Sequence, residues 1–274
     1  MKFSHGAASS ECCFFAQTQI SYHRITAGAA VKNELLYNKS FTAGETDAQV
    51  RKWPLCLRCF IIAADSNART EGFIMDIEKF LDNLKKHGFG AVYFDSAAAA
   101  ADYLAEQTAG KTVGFGDSRT LSAMNLAEKI GRRAAVFDPS PLSGAEFRAM
   151  ADKAMTAQVF MLSVNGASET GELVNIDSSG NRVAGSLWGH EKVYFVFGVN
   201  KIEPTLEKAV WRARNTAAPA NARRFGFRTP CAVRGDRCYD CASPDRICNT
   251  LCIYLHKEKS MDMEAVVIGE NLGC

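Results

Sequence analysis

From Met75 onward, apolar positions fall into segments of two different periods that alternate along the chain. Ile77, Phe80, Leu81 and Leu84 stand at i, i+3, i+4 and i+7, the spacing of one helix face, with Asp76 placed to cap the start and Gly88 to close the end. Residues 91–95 read as a short apolar strand. Ser96 caps an Ala-rich helix that runs to about residue 108, Gly110 breaks it, and 112–116 form a second strand ending in glycines. A helix over 121–130, a strand over 134–138, a Pro/Ser/Gly loop to Gly144 and a helix over 145–156 follow. Residues 158–164 are apolar without alternation, as expected of a strand buried on both faces. Residues 172–177 and 181–185 read as a hairpin around Ser178-Ser179-Gly180. A strand over 192–198 and a helix over 203–214 complete the regular part.

This βαβα order predicts an α/β fold: an open, mostly parallel, Rossmann-like sheet with helices on both faces, plus a hairpin and a Cys-rich C-terminal tail. Three regions follow from the patterning. Residues 1–74 sustain neither period and read as an irregular extension, possible as an upstream translated stretch outside the native protein; 75–230 carry the α/β domain; 231–274 form a cysteine-rich segment packed on it.

Composition narrows the function classes. The 274 residues are 47% hydrophobic and 23% charged, ordinary globular usage, and 32 basic against 30 acidic residues leave no global field to recruit nucleic acid or anionic lipid. No apolar run approaches the roughly 20 residues of a membrane-spanning helix. The charge is uneven locally: residues 201–237 hold nine basic and three acidic side chains, a local attractor for anions. Of ten cysteines, four lie in the first 59 residues and five between Cys231 and Cys252. Such clustering without a secretory signal reads as metal or redox chemistry in the reducing cytoplasm.

Three stretches carry candidate chemistry. In Val113-Gly114-Phe115-Gly116-Asp117-Ser118-Arg119-Thr120, a strand ends in Gly-x-Gly before a helix, allowing close backbone approach and offering N–H groups to a phosphate or carboxylate. The third glycine of a dinucleotide fingerprint is absent. The loop 163–172 leaves the carboxyl end of a buried strand, where open α/β sheets bind ligands, and its Glu169 and Glu172 could act as base or nucleophile if desolvated. Cys231, Cys238, Cys241 and Cys248 form C-x6-C-x2-C-x6-C, four thiolates suited to tetrahedral zinc or to an iron–sulfur cluster, with Arg228, Arg234, Arg237 and Arg246 nearby to offset their charge. The Cys56/Cys59 pair lacks a second pair beside it. The five histidines are dispersed, and His190, before the strand at 192–198, is the one to look for in a pocket.

The residues 169–177 (Glu-Thr-Gly-Glu-Leu-Val-Asn-Ile-Asp), 180–184 (Gly-Asn-Arg-Val-Ala) and 197–202 (Phe-Gly-Val-Asn-Lys-Ile), with the Gly-x-Gly-Asp-Ser turn at 114–118 and the terminal cysteines, resemble the LUD-domain (lactate-utilisation protein) family. The resemblance spans about residues 75–252. It implies a fold like that of the sugar-phosphate isomerase and CoA-transferase superfamily, and a role in oxidising lactate or a related 2-hydroxy acid beside iron–sulfur oxidoreductase subunits. By position, Gly114, Gly116, Asp117, Ser118 and Thr120 would line an anion loop, Asn165, Glu169, Thr170 and Gly171 the loop facing it, and Lys201 would add charge. Gly166-Ala167-Ser168 and Arg119 depart from the family pattern. The readings that follow are an accessory or electron-transfer component with a small-anion pocket, a stand-alone isomerase or acyl-transferase-type enzyme using Glu169 or Glu172, or a non-catalytic anion-binding regulatory module. Expected partners are a small carboxylate or phosphate, iron–sulfur subunits, and a second copy of the chain as a homo-oligomer; no nucleic acid is expected.

Overall fold

A computed structural model of the chain describes residues 75–274; the expected extension at 1–74, with Cys56 and Cys59, lies outside the described residues. The first helix, α1 (Ile77–Lys86), starts where the Asp76 carboxylate accepts from the Lys79 N–H at 3.1 Å, and it buries Phe80 and Leu84 completely. Strand β1 (Gly90–Phe94) leads to α2 (Ala97–Gln107), capped by the Ser96 hydroxyl, and then to β2 (Thr112–Phe115). The helix expected over 121–130 is two short ones, α3 (Arg119–Ala123) and α4 (Leu126–Gly131). The break falls at Asn125, whose φ of 49° is a left-handed conformation that asparagine tolerates better than most residues. Strand β3 (Ala135–Phe137), helix α5 (Gly144–Ala154) and strand β4 (Val159–Leu162) follow.

The expected hairpin at 172–185 does not form. Strands β5 (Gly166–Ser168) and β6 (Leu173–Asp177) pair antiparallel with each other, and 181–187 is a helix, α6 (Asn181–Leu187). Asp177 decides this: its carboxylate accepts from the N–H groups of Ser178, at 2.7 Å, and Val183, at 2.9 Å, so it satisfies the free donors of a helix start. Small residues then let the helix lie close to the sheet, since a Cβ on Gly185 would stand 2.6 Å from the Phe160 ring. Strand β7 (Lys192–Gly198), the two-residue β8 (Ile202–Glu203), α7 (Leu206–Arg212), a π-helical turn (Ala213–Ala217), α8 (Ala218–Arg224) and α9 (Pro230–Arg234) come next. The chain ends with β9 (Thr250–Tyr254) and β10 (Asp262–Ile268).

The principal sheet has the order β1-β10-β7-β4-β2-β3, with every pairing parallel. A smaller sheet, β8-β5-β6-β9, stands beside it. Alternation along the central strands sends Val193, Phe195 and Phe197 to one face, with α1 and Ala154 of α5, and Tyr194 and Val196 to the other, with α2, α3 and α4. Helices therefore cover both faces, as the pattern predicts. Strand β10 is an addition to the expected elements, although its run Ala265–Ile268 has the unbroken apolar character of β4 and β7. It pairs with β1 on one side and β7 on the other. Of its two carboxylates Asp262 is exposed, whereas Glu264 is buried and accepts from Lys192 Nζ and from the Tyr103 hydroxyl, both at 2.6 Å. No helix among the described residues is long and apolar enough to cross a membrane.

Candidate functional site

The chain leaves β2 along the face covered by α3 and α4 and returns from β3 along the face covered by α5, so the carboxyl ends of β2 and β4 part at a crevice. Open α/β sheets place ligands at such a switch point. A cavity of about 280 Å³ lies there. It is lined by Asp117, Ser118, Arg119 and Thr120 after β2, by Ser163 and Asn165 after β4, by Asp177 and Arg182 around the start of α6, and by Lys201 after β7. Arg224 and Phe225 from the end of α8, and Cys274, complete its polar and aromatic wall. Four cations thus face two carboxylates.

Lys201 forms the deepest charged group. It is buried, and its Nζ donates to Thr120 Oγ1 at 3.0 Å, Ser163 Oγ at 2.9 Å and the Val164 carbonyl at 3.1 Å, all neutral partners. Burial, with repulsion from Arg212 and Arg182, pushes its pKa down to about 7. Arg182 reaches across from α6 to the Ile176 carbonyl and lies 3.5 Å from Asn165 Oδ1. Beneath the pocket, Arg212 is fixed by the carbonyls of Asn165 at 2.7 Å, Asn200 at 3.1 Å and Cys274 at 3.2 Å. Asp117 holds a left-handed φ of 44°, a conformation that costs a non-glycine residue about 1 kcal/mol or more and recurs at functional sites. Burial raises its pKa, against the opposing pull of Arg224 and Arg182. A carboxyl and an amine shifted toward neutrality thus stand in one cavity, the arrangement proton transfer needs.

Only some of the residues expected from the sequence meet at this site. Asp117, Ser118, Thr120, Asn165 and Lys201 line the cavity as expected. The glycines act one step back: a Cβ on Gly114 would meet the Ala154 carbonyl at 2.4 Å, and one on Gly116 would meet Arg182 Cγ at 3.1 Å, so they admit α5 and the arginine rather than a ligand. The anion attraction expected of the helix start also changes source. With only five residues, α3 has a small dipole, and Ser118 Oγ already accepts from Leu121 N.

The facing loop divides after Asn165. Glu169, Thr170, Gly171 and Glu172 are not among the residues lining the cavity; they pack toward α1. Glu169 pairs with Lys79 at 3.3 Å and its carbonyl accepts from Asn83, while a Cβ on Gly171 would meet the Asn83 carbonyl at 2.8 Å. Glu172 accepts from the Thr170 hydroxyl. Neither glutamate expected as a base reaches this cavity, whose wall carries Asp117, Asp177 and Lys201 instead. His190 is likewise remote, buried against Phe160 with Nδ1 2.6 Å from the Ala157 carbonyl. Arg182 and Arg224 were missed as site residues; the signal for Arg182 was the 180–184 motif.

A family model described as LUD domain matches residues 77–268. The chain belongs to the LUD-domain family. The match takes in every cavity residue before Cys274. A similar solved structure is the crystal structure of a DUF162 family protein from Deinococcus radiodurans, 16% identical, with 70% of this chain and 96% of that one covered at a TM-score of 0.41. None of the curated proteins matches this chain.

The LUD domain's cysteines gather beside the cavity. Cys231, Cys238, Cys241 and Cys248 all line a second hollow of about 10 Å³, together with Arg214 and Arg246, and Ala218 and Ile247 belong to both walls. Arg214 and the Asp240 N–H point at Cys238 Sγ, while burial raises the Cys248 thiol pKa and Arg246 opposes that rise. Four soft donors around one hollow fit zinc or an iron–sulfur cluster by type. As placed, no three His, Cys, Asp or Glu side chains among the described residues are close enough to share an ion. Cys252, half-buried on β9, stands outside the hollow.

Proposed function

We propose that this LUD-domain protein binds a small carboxylate or phosphate at the carboxyl ends of β2, β4 and β7, and that its four cysteines hold a zinc ion or an iron–sulfur cluster next to that ligand. The observation that supports the reading is a cavity whose cations, Lys201, Arg182, Arg119 and Arg224, outnumber its carboxylates and whose wall shares Ala218 and Ile247 with the hollow that the four thiols line. Arg182 and Arg119 would orient the anion, and Thr120 and Ser163 would hold the amine against it. Asp117, whose pKa burial raises, would pass a proton. A cluster at Cys231, Cys238, Cys241 and Cys248 would supply electron transfer, and the protein would then serve as an accessory component of 2-hydroxy-acid oxidation alongside iron–sulfur subunits.

Two measurements test this. Calorimetric titration with lactate, glycolate and phosphate should show saturable binding absent for glycerol, and Arg182→Gln should weaken it about tenfold or more, since one charge-assisted hydrogen bond contributes about 1.5–3 kcal/mol. Binding no stronger than glycerol's refutes the pocket. Protein purified anaerobically should carry one metal centre per chain, lost in Cys238→Ser. Stoichiometric zinc without colour removes the redox role, and metal-free protein removes the centre.

A further inference from the structure

The deepest cation of the cavity lacks the partner that buried lysines usually have. Lys201 Nζ meets two hydroxyls and a carbonyl but no carboxylate, so the fold holds a costly group without the ion pair that would offset it. Structural need does not explain this. The neighbouring hydroxyls already meet each other, with Ser163 Oγ 3.2 Å from Thr120 Oγ1; Thr120 belongs to α3 and Ser163 to the loop that leaves β4. The surroundings suit a neutral amine. With two N–H bonds to donate and one lone pair to offer, it can donate to the Val164 carbonyl and one hydroxyl while the other hydroxyl turns toward its lone pair. Burial, followed by the Arg212 and Arg182 charges and opposed by Cys274, brings the pKa to about 7, so much of the amine carries a free pair near neutrality.

We propose that Lys201 is a nucleophile that forms an imine with the aldehyde or ketone of a small anionic ligand, whose charge is held by Arg182 and Arg119. The amine lone pair would attack the carbonyl carbon, forming the C–N bond, while the carbonyl oxygen takes up the proton the nitrogen releases. Loss of that oxygen as water, with the second amine proton, leaves the C=N bond. Thr120 and Ser163, both at Nζ, lie where these protons move. No oxidant or reductant is needed. The inference rests on the reading of the cavity as an anion site and adds a covalent step to it.

The test uses the full-length protein at neutral pH with sodium borohydride and one of three probes: pyruvate, dihydroxyacetone phosphate or acetone. Reduction fixes an imine as a secondary amine, and peptide mass spectrometry locates it. The expected result is one adduct at Lys201 with pyruvate or with dihydroxyacetone phosphate, the arm that labels showing whether the charge is carboxylate or phosphate. Acetone should label Lys201 at least tenfold less, and excess inorganic phosphate or acetate should suppress the adduct. Thermal stabilisation by the same probes, measured without borohydride, separates the two readings. Stabilisation with no adduct at Lys201 overturns the imine and leaves the anion site standing. Absence of both overturns both. Equal labelling by acetone overturns the claim that the cavity's charges select the ligand. Because the wild-type chain carries the test, a Lys201→Arg variant that failed to fold would not weaken it.

Discussion

Replacing Lys201 with methionine keeps most of the side-chain volume and removes the ammonium, so its effect isolates the cost of burying that charge. The folded pKa of about 7 lies below the ordinary 10.5. Between those values the unfolded chain binds a proton that the folded chain does not, so the wild type gains stability as pH rises through the window. At 1.36 kcal/mol per pH unit, the penalty is about 5 kcal/mol below pH 7 and falls to about 2 kcal/mol at pH 9. Methionine leaves the Val164 carbonyl without its donor, a loss of about 1–3 kcal/mol that does not depend on pH. Lys201→Met should therefore be the more stable protein at pH 7, by about 1–3 kcal/mol, and the difference should shrink or reverse by pH 9. Urea unfolding of both proteins at several pH values, in buffers without anions that enter the cavity, measures it; subtracting one curve from the other cancels all other titrations. A difference that stays constant from pH 7 to pH 9 would refute the account of Lys201 as a desolvated amine.

Gly114→Ala should destabilise the fold by about 2–4 kcal/mol in denaturant melts, because its Cβ would stand 2.4 Å from the Ala154 backbone and no rotamer can relieve that contact. His190 is buried with its pKa lowered by desolvation; below pH 6.5 the unfolded state binds the proton more readily, so stability should fall with acid, and His190→Leu should flatten that part of the pH–stability curve. Glu264→Leu should cost stability through the unpaired Lys192 ammonium, whereas Glu169→Gln should leave anion binding unchanged in calorimetry, since Glu169 pairs with Lys79 away from the cavity.

Local signals carried the α/β reading well. The Asp76 and Ser96 caps, the apolar face of α1 and the unbroken runs of β4 and β7 stand where the periodicity puts them, because each depends on contacts within a few residues. The hairpin failed for a longer-range reason: Ser178-Ser179-Gly180 is turn chemistry, but Asp177 bonds to Val183 and starts a helix whose small residues fit against Phe160. The same limit governs the site. Asp117, Ser118 and Thr120 were legible from a strand ending in glycine, while Arg182 and Arg224 reach the cavity from segments with no such mark. Glu169 and Glu172 sit on the expected loop, yet the packing of Gly171 on α1 turns them away.

The position of β10 bears on how the protein is made. It fills the gap between β1 and β7, so residues 90–94 wait on residues 262–268 for a neighbour in the sheet, and residues 192–198, already paired with β4, wait on them for their second. Until residues 262–268 have been synthesised, a nascent chain therefore leaves β1 without a sheet partner and one edge of β7 open, and such edges template intermolecular pairing. Stalled or shortened products lacking that strand would be expected to call on holding chaperones.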